Sequence, residues 1–191
     1  MTADSGVVEF ELPDALAAVM LRAAEGVTPP PRLWLSEWAD EHRQLPTKGA
    51  AEPGRWRTDR VPFSREIMDC LSPQHPARRI VYMKSTQVAG TEIGNNWVGS
   101  VIHTQRVPMM IVQPTIELGE RWSKQRLASM IEDTDALKDK IAPARSRDSG
   151  NTTLLKEWPG GVLIISGANS SPSLRQMPAK YLFCDEVGIP D

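Results

Sequence analysis

The sequence predicts an α/β fold with a mostly parallel central sheet. Three observations carry this expectation. Short apolar runs at residues 80–83 and 109–112, and the mostly apolar segment 179–184, have the length and composition of buried strands. Helically spaced apolar residues follow the first two runs, and polar or turn-forming residues stand at the ends of all three. Strand, helix, strand, helix is the rhythm of a parallel sheet with crossover helices.

The chain has 191 residues, enough for one α/β domain with a core and an N-terminal appendage. Hydrophobic residues make up 40% and charged residues 24%, a globular composition that excludes a disordered or fibrous chain. No apolar run approaches the roughly 18 residues of a membrane span. The acidic N-terminus, MTADSGVVEFELPD, lacks the basic region and apolar core of a secretory signal. A cytoplasmic protein is expected. Net charge is −2, so no global basic field announces nucleic acid, and the local Arg clusters read first as solvated faces. Cys70 and Cys184 lie far apart and the three histidines are scattered, which argues against a disulfide framework or structural zinc.

Taken in order, residues 13–25 read as a helix ending at Gly26, and Pro29, Pro30 and Pro31 as a stiff break. Ser36 begins a short helix carrying Trp38; Trp34 and Trp38 are expected to pin this arm onto the main domain. Residues 47–62, rich in Gly, Pro and Arg, read as an extended strap. A helix is expected over 63–71, where Ile67, Met68, Cys70 and Leu71 share a face, and Ser72, Pro73 and Pro76 end it. The domain boundary is accordingly set near residue 60, with an arm over 1–60 and the main domain over 61–191.

The stretch RIVYMKSTQVAGTEIGNNW then supplies a strand (Ile80, Val81, Tyr82, Met83), a loop from Lys84 to Gly90, and a helix opening near Thr91 and Glu92. Ile93, Trp97, Val101 and Ile102 give that helix one apolar face, and Trp97 is read as core. A strand delivering a small-residue loop into a helix N-terminus builds an anion cradle, because unpaired backbone N–H groups and the helix dipole converge there. The usual phosphate-loop pattern is G-x-x-x-x-G-K-[ST]. With Thr91 at the hydroxyl position, Gly90 replaces the lysine, Ala89 replaces the second glycine, and Lys84 stands where the first glycine belongs. Taken by itself the stretch fits an ordinary polar strand-to-helix turn better than a phosphate loop.

The second strand, residues 109–112, is closed by Pro114, and a helix follows over 116–131 with Leu118, Trp122, Leu127, Met130 and Ile131 on its apolar side. Residues 133–151 read as a loop with a short helical piece. A hairpin is expected from residues 152–158 and 162–166 around Pro159-Gly160-Gly161. The last strand, 179–184, ends in Asp185 and Glu186, with Cys184 read as a small buried hydrophobe. Adjacent carboxylates at a strand tip downstream of a phosphate loop supply what nucleotide hydrolysis needs: one acid for Mg²⁺, shared with the loop hydroxyl of Thr91, and one to polarise water. Both belong at the carboxyl ends of the strands.

The ordered set KSTQVAGTEIGNNW, MMIVQPTIELGERWSKQRLASMI, RSRDSGNTTLL and SGANSSPSLRQMPAKYLFCDEV resembles the ATPase domain of the tailed-phage terminase large subunit, GpA-like family. The upstream pieces LSEWADEHRQLP and AEPGRWRTDRVPFSREIMDCLS resemble it too, so the likeness covers nearly the whole chain after Leu33. It implies a P-loop NTPase-type fold of the additional-strand, catalytic-glutamate kind, a three-layer sandwich with a mostly parallel central sheet, truncated after the acidic strand. The implied function is an ATP-hydrolysing motor that packages viral double-stranded DNA, working as a homo-oligomeric ring with the portal protein and the small terminase subunit in the host cytoplasm. ATP and Mg²⁺ are the implied cofactors. Lys84 and Glu186 would be catalytic. Lys84, Ser85, Thr86, Gln87, Val88, Ala89, Gly90, Thr91 and Glu92 would line the nucleotide, and Thr91 and Asp185 would bind Mg²⁺. Arg175 and Gln113 are weaker candidates for phosphate or DNA contact. Ala89 departs from the glycine usual in the family. The chain stops five residues after Glu186, so nuclease activity is not expected of it. Two alternatives stay open: an inactive fragment that only binds DNA or partners, and a helicase-like ATPase of another family.

Overall fold

The computed structural model describes residues 16, 18–20, 22–23, 32–47, 52–85, 88–141, 151–170, 174 and 178–187. Contacts group the chain into Met1–Pro31 and Arg32–Asp191. In the first unit the described residues, 16, 18–20 and 22–23, are helical, within the helix expected over 13–25. The second unit holds everything discussed below, and Leu33, Leu35, Trp38, Ala39, Leu45 and Trp56 pack into or against the same core as the sheet.

That unit opens with helix α1 (Leu35–His42), entered from Trp34, whose backbone N–H donates to Glu37 at 2.9 Å. Short strands β1 (Gln44–Leu45) and β2 (Gly54–Arg55) pair antiparallel, and a 3-10 turn spans Thr58–Arg60. Helix α2 (Ser64–Cys70) stops before Pro73, as its sequence requires. Helix α3 (Gly90–Thr104) follows, then strand β3 (Pro108–Gln113). Thr115 caps helix α4 (Ile116–Trp122) through its hydroxyl, which accepts from Leu118 N at 3.3 Å. A π-helical turn at Ser123–Leu127 joins α4 to α5 (Ala128–Asp133), and α6 (Asp135–Lys138) is the short helical piece. Strands β4 (Leu155–Trp158) and β5 (Gly161–Gly167) form the expected hairpin, and β6 (Tyr181–Cys184) is last.

The main sheet has the order β4-β5-β3-β6. Its β3–β5 and β3–β6 ladders are parallel and the β4–β5 hairpin is antiparallel, which makes the sheet mostly parallel. Register places Met109 beside Leu163 and Tyr181, and Ile111 beside Ile165 and Phe183. Side chains of that parity form the core with the helices, since alternate residues of a strand share a face. Met110 and Val112, on the opposite face, are buried but stand outside this core.

Four of the six tryptophans, Trp38, Trp56, Trp122 and Trp158, are buried, and each satisfies its indole N–H. An aromatic ring can contribute its full area to a core only when that donor finds a partner. Trp38 Nε1 donates to His103 Nδ1 at 3.0 Å. Gly99 makes room for this ring, because a Cβ there would lie 2.6 Å from Trp38 Cη2.

Several expectations are corrected. Residues 80–83 are not a sheet strand: the chain is extended there, yet it joins no ladder among the described residues. Val81 and Met83 are 83% and 95% exposed, while Ile80 and Tyr82 are half-buried. An apolar run states a demand for burial but supplies neither a hydrogen-bonded neighbour nor a covering layer. Trp34 is 36% exposed, so Trp38 alone of that pair anchors the segment. Leu118 is exposed, and Cys184 is exposed on the edge strand β6, whereas Trp97 is half-buried and packs against the core beside Tyr181 and Phe183.

The His103 contact generates a pH prediction. Burial lowers the His103 pKa below its ordinary 6.5, His42 and Lys140 lower it further, and Glu41 opposes them. The unfolded chain therefore binds more protons in the window below 6.5, so stability is full above that value and lost as pH falls through it. Thermal unfolding should show a lower Tm at about pH 5.5 than at about pH 7.5. His103→Asn, which keeps an acceptor for Trp38 without a titrating ring, should shrink that difference; an unchanged difference would assign it elsewhere.

Candidate functional site

The C-terminal ends of β3 and β6 and the N-terminus of α3 meet at one place. The β3–β6 ladder continues one residue past β6, with Asp185 N donating to Val112 O at 3.0 Å. This sets Asp185 beside Gln113, the last residue of β3. Helix α3 comes close enough because of Gly94: a Cβ there would stand 2.1 Å from Phe183 Cζ. Thr91 lies one turn before Gly94 on the same helix face, as Asp185 lies two residues after Phe183 on the same strand face. One glycine thus lets the helix rest on β6 and brings the Thr91 hydroxyl to Asp185, to which it donates at 3.3 Å.

Asp185 is 7% exposed, and its Oδ2 also accepts from Gln113 Nε2 at 3.5 Å. Burial raises its pKa, the Glu186 charge adds to that, and Gln113, Lys84 and Thr91 pull the other way. A buried carboxylate with two long hydrogen bonds is under-compensated, which is the condition of a group awaiting a cation. Glu186 has φ 52°, in the left-handed region, and projects to solvent with its side chain 65% exposed. Lys84 Nζ donates to Glu186 Oε1 at 2.5 Å. That bond is the largest influence holding the Lys84 pKa above its ordinary value. The Lys84 stem lies across the start of α3, where a Cβ on Gly90 would be 2.2 Å from Lys84 Cδ.

Helix α3 begins at Gly90 with Ala89 as its N-cap and no side-chain cap. Ile93 N is the first amide bonded back, to Ala89 O at 2.9 Å. The amides of Gly90, Thr91 and Glu92 precede the first intrahelical bond, so with the helix dipole they offer donors to an anion. Ala89 has φ 57° and ψ 11°, a left-handed conformation that a glycine adopts freely and an alanine does not. The loop's departure from glycine is therefore a backbone matter as well as one of an added methyl group, which packs against the core.

Of the residues singled out from the sequence, Lys84, Thr91, Asp185, Glu186 and Gln113 come together here. Val88, Ala89 and Gly90 are half-buried in the loop and first turn, and Ser85 is exposed. Thr86, Gln87 and Arg175 lie outside the described residues. Glu92 turns its side chain away: its Oε2 accepts from Arg43 Nη2 at 3.0 Å and its Oε1 from Asn95 Nδ2 at 3.1 Å. Asn95 is held in turn by Trp122 Nε1 at 2.9 Å. Neither Arg43 nor Asn95 carries a motif or spacing that would have marked it. Among the described residues no three His, Cys, Asp or Glu groups are placed to hold a metal, and no helix is long and apolar enough to cross a membrane. The pair Thr91–Asp185 does fit Mg²⁺, which takes one or two protein oxygens and completes its shell with water and phosphate.

The profile described as phage terminase large subunit gpA, ATPase domain, matches residues 50–189, which include every site residue named above except Arg43. No curated protein and no solved structure matches the chain.

Replacing Ala89 by glycine should relieve the left-handed strain and stabilise the protein by about 0.5–1 kcal/mol, after allowance for the greater freedom of the unfolded chain. Chemical denaturation of Ala89→Gly beside the parent chain checks it; a loss of stability would mean the methyl packing outweighs the strain.

Proposed function

Since this chain belongs to the family of phage terminase large subunit gpA ATPase domains, whose general activity is ATP hydrolysis, we propose that it is the Mg²⁺-dependent ATPase motor of a machine that packages viral double-stranded DNA. The observation that carries the proposal is the convergence of Lys84, Thr91, Asp185 and Glu186 from segments about a hundred residues apart in sequence.

The chain's own groups suggest their roles. Triphosphate oxygens lie against the free amides at the start of α3, where the dipole favours negative charge. Lys84 reaches the same phosphates across the helix start, from the opposite end of the loop to the usual lysine. Thr91 Oγ1 and Asp185 Oδ2 would hold Mg²⁺, and the ion when bound supplies neutralisation of the phosphate charge. Gln113 orients Asp185 from the neighbouring strand. Glu186 orients the attacking water and accepts its proton.

The Lys84–Glu186 ion pair fits this scheme as a resting arrangement. While Lys84 donates to Glu186, one carboxylate oxygen is occupied by the ammonium and is not free to meet water. Arriving phosphates offer Lys84 several negative oxygens in place of one carboxylate, and release Glu186 toward water. The base becomes available when its substrate is present. Double-stranded DNA, the portal protein, the small terminase subunit and a ring of further copies are the partners that this reading entails. A chain that binds DNA or partners without hydrolysing ATP is the competing reading, favoured by the unladdered, exposed Val81 and Met83 beside the site residue Lys84.

Steady-state ATP turnover tests the proposal. Glu186→Gln should lower kcat by about 10²–10⁴-fold, the usual contribution of a general base, while nucleotide still binds. Lys84→Ala should weaken nucleotide binding as well as turnover. Equal turnover in parent and variants would reject the assignment, and DNA binding without any turnover would favour the competing reading.

A further inference from the structure

Glu92 poses an electrostatic problem for a triphosphate site. It follows the hydroxyl residue Thr91 in the first turn of α3, so a carboxylate stands beside the amides that are to meet phosphate oxygens. Like charges brought close in partly buried surroundings repel more strongly than they do in water.

The side chain is restrained on both oxygens. Arg43 Nη2 donates to Oε2 at 3.0 Å, and Arg126 Nη1 stands 3.6 Å from Oε1, which also accepts from Asn95. The two guanidinium groups come from distant places. Arg43 follows α1, in the segment anchored by Trp38, and Arg126 sits in the π-helical turn after α4. A π turn adds one residue per turn and so re-aims the side chains that follow it.

Arg43 is an expensive residue to keep. It is 1% exposed, its Nη1 donates to the carbonyl of Gln44, and its Nε has no partner. Burial pushes its pKa down, and Glu92 is the strongest influence raising it again, followed by Asp133, with Arg126 opposing. An apolar side chain of similar volume would fill the space at lower desolvation cost. Stability alone therefore does not account for a buried guanidinium here.

We propose that Arg43 is a positioning residue of the nucleotide site: with Arg126 it holds and neutralises the Glu92 carboxylate, so that the first turn of α3 faces an anionic triphosphate without an opposing charge. Arg43 also ties the Trp38-anchored segment to the phosphate cradle, so that displacement of that segment would release Glu92 and weaken nucleotide binding. The inference rests on the nucleotide reading above and assigns it a residue outside the loop and the acidic strand.

A charge-specific double-mutant cycle tests it. A fluorescent ATP analogue with Mg²⁺ is titrated into the full chain and into Arg43→Met, Glu92→Gln and the double variant, and turnover is measured at saturation. Arg43→Met should raise Kd about tenfold while kcat at saturation changes less than threefold. The double variant should return to within about threefold of Glu92→Gln, because no carboxylate is left to release. A merely structural role for Arg43 predicts a double variant as weak as Arg43→Met, and that result, or unchanged binding by Arg43→Met, overturns the inference. If Arg43→Met does not fold, Arg126→Met carries the test, since the Arg126 side chain is 45% exposed. It should weaken binding severalfold, reversed by Glu92→Gln, and no effect overturns the inference. A parent chain that binds no nucleotide would overturn the nucleotide reading itself, an outcome distinct from a parent that binds with variants that bind equally well.

Discussion

Strand β3 has a parallel neighbour on each side, and most of the molecule follows from that. Parallel ladders align the strands in one direction, so their C-terminal ends come out on a common edge. The β3–β6 register, extended by the Asp185 amide to Val112, puts Asp185 level with Gln113. On the other side Gly167 pairs with Gln113, and Ala168 N donates to its carbonyl at 2.8 Å. Each side chain at this edge is placed by backbone hydrogen bonds before any side-chain contact is made.

Helix α3 adds the second half of the site, and its approach depends on a missing methyl group. Gly94 meets Phe183 without a Cβ, beside the Trp97 ring that packs on Tyr181 and Phe183. A larger residue would lift the helix and carry Thr91 away from Asp185. Gly94 slightly weakens the helix as an isolated element, by up to about 1 kcal/mol relative to alanine. Its value lies in close packing, which propensity does not measure.

The charges at the site form a sequence of partnerships. Lys84 is held by Glu186, Asp185 is buried with long hydrogen bonds, and Glu92 is drawn back by Arg43 and Arg126. Two carboxylates are thus occupied by cations, and one is left under-compensated beside a hydroxyl. An anion carrying a divalent cation complements that distribution: the cation answers Asp185 and the anion answers Lys84 and the helix amides. Strain accompanies the arrangement, with Ala89 and Glu186 both in the left-handed region at either end of the site. Backbone held in sparsely populated conformations gathers at functional sites because surrounding structure must over-determine it.

Much of this was legible in the residues. Apolar runs marked β3 and β6, Pro159-Gly160-Gly161 marked the hairpin, Asp185 and Glu186 stood out as adjacent carboxylates closing an apolar run, and Lys84 and Thr91 as the residues flanking a small-residue loop. Periodicity and turn chemistry are local properties, so a linear reading reaches them. Residues 80–83 were read as a strand from the same kind of signal, and the difference is instructive: their apolar character is local, but a ladder needs a neighbour that the run does not contain. Cys184 and Trp34 are exposed for related reasons, since burial depends on what covers a face. The sequence by itself determined most of the element types, the mostly parallel α/β architecture and the residue kinds that meet at the candidate site. Only the tertiary structure decided that Gly94 sets the helix height, that Lys84 rests on Glu186, and that Arg43 reaches Glu92 across 49 residues. Those are long-range pairings selected by shape and charge in three dimensions, and no periodicity along the chain encodes them.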